Sequence, residues 1–296
     1  MPEPAERADV VILGGGLAGL TLALQLKDSR PDLDLVVLER RAFPAPEAAF
    51  KVGESTVEIG SHYLSHTLNL RDLLETTQLR KFGLRFFFGA GLHDCLSGAD
   101  ELGASSFLPA VSYQLDRGRL ENDLVEILRD RGVEVIDGCR VRRVEMDQQP
   151  PARRVHWATE DRSCVLSCEW VIDATGRAGL LKKQMELGEP SAHDVNAAWF
   201  RLDTEIDVEE WADSPEWLQR CEGIPRRLST NHLLGPGYWA WIIPLVGQRV
   251  SVGLVADPRH VPLDRFNDFQ RFREWAKAQQ PRLAAHLEAS AGELLD

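Results

Sequence analysis

Three glycines and one carboxylate carry the first recognisable chemistry of this sequence. Gly14, Gly16 and Gly19 stand in the spacing G-x-G-x-x-G, directly after the apolar run Val10–Leu13. That run has the length and β-branched content of a buried parallel strand. Ala18 and Leu20 open an apolar helix that runs to about Lys27. The first glycine turns the chain tightly, the second lets the backbone approach a pyrophosphate, and the third lets helix pack on strand. The N–H groups of the first helical turn then face the phosphates, where the helix dipole favours negative charge. Asp34–Leu38 reads as a second strand closed by Glu39, twenty positions after Gly19. A dinucleotide site needs a carboxylate there to accept hydrogen bonds from the adenosine ribose. An acidic residue argues for FAD or NAD over a 2′-phosphorylated dinucleotide. The alternative is a vacant turn of the same shape.

The elements that must hold this turn can be read in order. AFPAPEAAF (42–50) is a Pro/Ala-rich connector, and FKVGESTVEIGSHYLSHTL is a turn leading into a helix. Lys81–Phe88 reads as one buried strand and residues 89–112 as a Gly/Ser/Asp-rich loop. From Tyr113 onward, apolar residues at 115, 120, 124, 127 and 128 give a helical period that Gly132 stops. Two strands of alternating polarity follow, joined by the turn QQPPA. CEWVIDATG (168–176) is a second strand-to-glycine unit, ending in Asp173 and Gly176. NAAWFRLDTEI and GYWAWIIPLVGQRVSVGLVA predict an antiparallel sheet with one wet face. Leu263–Gln279 predicts one amphipathic helix, and a further short helix follows it.

Composition narrows the function classes. The chain has 296 residues, enough for one large domain or two ordinary ones, with 44% hydrophobic and 27% charged residues. A formal charge of −12 argues against a nucleic-acid partner. No apolar run approaches the roughly 20 residues a bilayer span needs. MPEPAERAD lacks the charged and apolar regions of an export signal, so a cytoplasmic location is expected. The five cysteines are odd in number and scattered, which suits reduced thiols. Cys164 and Cys168 read as strand residues rather than metal ligands, since no second Cys/His pair completes a zinc site, and no metal is expected.

Separated segments then agree. The G-x-G-x-x-G unit, QLDRGRLE (114–121) and DATG (173–176) resemble the FAD-dependent monooxygenase superfamily. Within it, G-E-S (53–55), the K-x-G-x-x-F run from Lys81 to Phe86 and W-A-W-I-I-P (239–244) are similar to the flavin-dependent halogenases of tryptophan and phenols. The resemblance covers essentially the whole chain. It implies an α/β fold, a Rossmann-type FAD-binding domain (1–60 and 110–185) with an inserted, largely antiparallel-sheet substrate domain (61–109 and 186–296).

The resemblance also implies roles. Gln114 and Arg117 fall where the superfamily contacts the flavin, and the planar arginine suits a pyrophosphate. Asp173 and Gly176 fall against the cofactor, and Glu54 beside the flavin. Glu58 stands where the family often has proline. Trp239 and Trp241, two apart on a strand, share a face and act as walls. Lys81 matches the essential lysine, which meets hypohalous acid made from halide by reduced flavin and O2. A compact cationic amine whose pKa falls on desolvation suits that task; a snorkelling structural lysine is the alternative. The implied partners are reduced FAD from a separate flavin reductase, halide, and a small electron-rich aromatic, free or tethered to a carrier protein. Two other readings stay open: an FAD-dependent aromatic hydroxylase, and a non-catalytic flavin-binding fragment. The superfamily's later Gly-Asp motif has no counterpart, because no Gly-Asp dipeptide occurs in the sequence. The expectation is therefore a C-terminally truncated chain, inactive as written.

Overall fold

The computed structural model describes residues 7–46, 51–93, 95–146 and 153–295. The last four positions of the 42–50 connector and the QQPPA turn lie outside the described residues. In chain order the first elements are β1 (Arg7–Leu13), α1 (Leu17–Ser29), β2 (Leu35–Leu38), α2 (Glu58–His62) and α3 (Arg71–Thr77). Then come β3 (Leu79–Lys81), β4 (Leu84–Phe88), β5 (Asp100–Gly103), β6 (Ser112–Gln114) and α4 (Arg117–Asp130). β7 (Glu134–Ile136), β8 (Arg140–Met146), β9 (Arg153–Ala158), β10 (Ser163–Asp173) and α5 (Leu180–Gln184) follow. The remainder is β11 (Asn196–Leu202), α6 (Pro215–Gln219), β12 (Thr230–Gly235), β13 (Tyr238–Leu245), β14 (Arg249–Ala256), α7 (Phe269–Gln279) and α8 (Pro281–Ala289). The fold is α/β. The described residues of 1–47 and 117–190 form one compact unit, and those of 48–116 and 191–296 the other. The boundaries thus fall at 47/48, 116/117 and 190/191, against 60/61, 109/110 and 185/186 in the sequence reading.

The first unit is a six-stranded sheet in the order β7-β2-β1-β10-β9-β8. β7, β2, β1 and β10 run parallel, whereas β9 and β8 close the sheet antiparallel. β1 and β2 are almost wholly buried, as their unbroken Val/Ile/Leu content requires of strands covered on both faces. Leu20, Ala23 and Leu24 of α1 and Leu120, Leu124 and Leu128 of α4 are buried, and α1 and α4 pack together. The opposite core gathers Val11, Leu13, Val36, Trp157, Leu166 and Leu181. Cys164 and Cys168 are residues of β10.

The second unit is also six-stranded, in the order β11-β14-β13-β12-β4-β5, antiparallel except for the parallel pair β12/β4. One face meets α7 and α8 through Phe87, Leu233, Ile242, Leu254, Phe272, Trp275 and Leu287. The expected wet face is not found along β13, where only Trp239 is exposed. The segment is apolar at nearly every position, and Trp199, Trp241, Ile243 and Leu245 form a second buried cluster on the other face. A Cβ at Gly253 would fall inside the Trp241 indole, so this glycine lets the ring lie across β14. Pro244 lies beyond Ile242, the last residue of β13 paired with β12, and is paired with Val250 of β14 alone.

Other expectations are also corrected. The 81–88 strand is broken at Phe82–Gly83: Gly83 has φ +84°, and its carbonyl accepts from Thr230 N–H. The 89–112 stretch contains β5, paired with β4, and begins β6. The helix expected from Tyr113 starts at Arg117, because Ser112–Gln114 pair with β3 instead. Leu263–Gln279 splits into a short 3-10 turn at Leu263–Arg265 and α7, which Asp268 caps by accepting the Arg271 N–H. The helix after G-E-S is interrupted too, α2 running into a π-turn at Tyr63–Thr67.

Candidate functional site

In the first unit the glycine turn is built as its spacing requires. Gly14 has φ +108°, and a side chain there would run into the Ala174 carbonyl. A Cβ on Gly19 would occupy the place of the Gly14 carbonyl, so this glycine serves helix-on-strand packing. Gly16 differs: a Cβ there would meet nothing within 4 Å. Among the described residues no contact calls for glycine at 16. The open space lies at the N-cap of α1, which has no side-chain cap. That is the cradle a pyrophosphate fills. Ala18 is the second residue of the helix.

Glu39 is fixed at the end of β2, where its carboxylate accepts Gly15 N–H at 2.7 Å and Arg41 N–H at 2.8 Å. Each oxygen keeps acceptor capacity for ribose hydroxyls. Arg117 opens α4 and donates to Glu121 at 2.6 Å, and Glu121 also accepts Leu17 N–H of α1 at 3.2 Å. Arg117 is therefore brought to the first turn of α1 by a buried carboxylate that the sequence reading did not single out. Its place one helical turn after Arg117 was the available signal.

Asp173 ends β10 and is held by its own neighbours. Its carboxylate accepts Thr175 N–H at 3.0 Å, the Thr175 hydroxyl at 2.5 Å, Leu181 N–H at 2.8 Å and Lys182 N–H at 3.4 Å. Burial opposes ionisation, but these donors together hold the carboxyl below its usual range. Asp173 thus organises the turn and the start of α5, and leaves Gly176, at φ +58°, facing open space.

In the second unit the candidates are two buried polar groups, Glu54 and Gln114, and one buried amine, Lys81. Glu54 is entombed: Arg201 donates Nε and Nη2 to it at 2.8 and 2.7 Å, and reaches Asp116 at 3.4 Å. All three residues are buried. Burial raises the Glu54 pKa, against the pull of Arg201. Gln114 is fully buried and exchanges hydrogen bonds with the Thr230 hydroxyl, which also meets Ser55 at 2.6 Å. Glu54 and Gln114 are both hydrogen-bonded to other residues of this unit. Arg201 and Asp116 had no local pattern to mark them.

Lys81 is 4% exposed at the end of β3. Its Nζ donates to the Thr56 carbonyl at 2.6 Å. Burial pulls its pKa down to about 8, and the negative charge of Glu58 opposes the fall. A small cavity beside it is lined by Glu58, Arg80, Phe107 and Ser112, among others. On β12, His232 stacks on Phe86 at 4.8 Å and is held neutral-leaning by burial, with the Lys81 charge adding to the effect. Trp241, aligned with His232 on the neighbouring strand, is buried, whereas Trp239 is partly exposed.

Residues 7–225 match the family model described as the FAD binding domain. The chain belongs to this family. FAD is its cofactor, and the open cradle at Gly16, the uncapped first turn of α1, the acceptor Glu39 and the donor Arg117 fit its adenosine diphosphate half. Within the family the chain is similar to the flavin-dependent halogenase ChlA of Dictyostelium discoideum, with 27% identity over 97% of this chain and 51% of the relative. The chain spans about half the length of the curated relatives it matches. Among solved structures, a flavoprotein/dehydrogenase from Cytophaga hutchinsonii superposes with a TM-score of 0.74 at 20% identity, covering 98% of this chain and 65% of that one. The flavin-dependent halogenase CmlS gives 0.72 at 21%, covering 98% and 48%. Both likenesses speak to the fold. Among the described residues no helix is long and apolar enough to cross a membrane, and no group of His, Cys, Asp and Glu is arranged to hold a metal ion.

Proposed function

We propose that this protein halogenates an electron-rich aromatic substrate, using reduced FAD from a separate reductase, O2 and halide. The observation that carries the reading is Lys81: a buried amine with a lowered pKa beside a small cavity, in the K-x-G-x-x-F run. Bound FAD, once reduced, supplies with O2 the oxidation of halide to hypohalous acid. Gly14, Gly16, Ala18 and Gly19 shape the phosphate turn, Arg117 offers it positive charge, and Glu39 takes the ribose hydroxyls. Asp173 and Gly176 fix the turn beside it. Lys81 acts later. As an ammonium it donates a hydrogen bond to hypohalous acid and polarises the halogen. As a free amine it exchanges N–H for N–halogen and releases water. In either case the arene takes the electrophilic halogen and then loses a ring proton. Only an electron-rich ring reacts with so mild an electrophile, hence the substrate class.

The test supplies the protein with FAD, NADH, a flavin reductase, bromide and a panel of phenols and indoles, with products read by mass spectrometry. Brominated product that needs both reductase and bromide is expected. Hydroxylated product formed with NADH alone would favour the hydroxylase.

A further inference from the structure

Lys81 has three N–H donors and one acceptor among the described residues, the Thr56 carbonyl. Thr56 is itself fixed: its N–H and hydroxyl both donate to the Tyr113 carbonyl, at 3.0 and 2.7 Å, and its hydroxyl meets Ser61 at 2.7 Å. Lys81 lines a cavity of about 10 Å³, room for about one water. Glu58, the first residue of α2, lines the same cavity. Its carboxylate is exposed and makes no hydrogen bond or ion pair among the described residues. An under-satisfied ammonium and an uncommitted carboxylate thus share one water-sized space, with α2 anchored to the lysine through Thr56.

We propose that Glu58 is the positioning residue of Lys81: its carboxylate holds the amine as an ammonium. The proposal rests on the reading of Lys81 as the reactive lysine, and locates the source of its charge in a residue that stands where the resembled family often has proline. The other charged or titratable groups around Lys81 do not substitute for Glu58. Arg80 lies over the Phe107 ring at 4.2 Å, and a second cation disfavours an ammonium. His232, on β12, is buried and shifted toward its neutral form. The 104–111 loop, which supplies Phe107, Leu108, Ala110 and Val111 to the cavity, carries no charged residue. Glu58 is the group that raises the Lys81 pKa against burial.

Competitive acetylation with acetic anhydride, read on peptides by mass spectrometry from about pH 6 to about pH 11, measures the titration of Lys81 directly. Exposed Lys182 and Lys183 serve as internal references. Glu58→Gln should lower the Lys81 midpoint by about 0.5–1 unit, making Lys81 about 2.5–5-fold more reactive near pH 7. Glu58→Asp should restore most of the shift, as a structural role for the side chain would not. An unchanged midpoint in Glu58→Gln, or equal shifts in Gln and Asp, overturns the proposal. This readout needs neither flavin nor turnover. Failure of the halogenation assay with a Glu58-dependent midpoint would count against the proposed function and not against the Glu58–Lys81 coupling.

Discussion

Lys81 is a cation held in a place that disfavours its charge, and this has a consequence for stability. Its pKa is about 8 in the folded chain against an ordinary 10.5. Between those values the unfolded chain binds more protons than the folded one, so folded stability rises with pH there. The penalty of burying the ammonium is complete below about pH 8 and fades toward about pH 10.5. Lys81→Met carries no such group. Urea unfolding of both proteins should show the parent gaining stability relative to the Met variant across that window, with a constant difference at lower pH. Arg201 is the opposite case, a buried cation whose partners Glu54 and Asp116 are both in place. Arg201→Met should destabilise by about 3–5 kcal/mol, because it leaves buried carboxylates without their counter-ion; equilibrium denaturation measures this. Lys81 could be singled out in the sequence because its motif is local. Glu54 could not be placed, because Arg201 lies 147 positions away and no local pattern announces that pairing. Asp173 ends a strand that the sequence marks, but three of its four donors are backbone N–H groups, which leave no signature in residue types.

At the scale of elements, the strand–turn–helix from β1 to α1 was the most legible part of the chain, since its apolar run and glycine spacing lie within a few residues of one another. The structure divides the glycines' tasks. Gly16→Val should leave thermal stability nearly unchanged and weaken FAD binding by about tenfold or more, because its side chain points into the open cradle. Gly19→Ala should instead destabilise by about 1–3 kcal/mol through collision with the Gly14 carbonyl. Flavin fluorescence titration beside thermal melts separates the two; equal behaviour would remove the distinction. The second sheet was less legible. β4 pairs in parallel with β12, far along the chain, and β5 is polar enough to pass for loop until it meets β4. Arg85 and Arg226 converge on Glu101 of β5, burying charge in a segment whose composition suggested solvent. The break at Gly83 follows from two long-range bonds, Phe82 N–H to the Leu228 carbonyl and Thr230 N–H to the Gly83 carbonyl.

The whole molecule has an FAD-binding domain match and a sheet unit that carries a buried lysine of lowered pKa. The cofactor follows from the family and fits the cradle; the halogenation is the proposal, and its central claim is that Lys81 acts after the flavin has done its work. The direct measurement compares parent and Lys81→Met protein, each supplied with reductase, NADH, FAD, bromide and an electron-rich aromatic, recording oxygen uptake and brominated product on the same sample. Methionine keeps the apolar stem and removes the amine, so the packing change is modest. The account predicts oxygen uptake within about twofold of the parent and loss of enzyme-bound halogenation by about 100-fold or more, a loss of the size expected for removing a group that acts in the transition state. Near-parental bromination by Lys81→Met would contradict it and return Lys81 to a structural role.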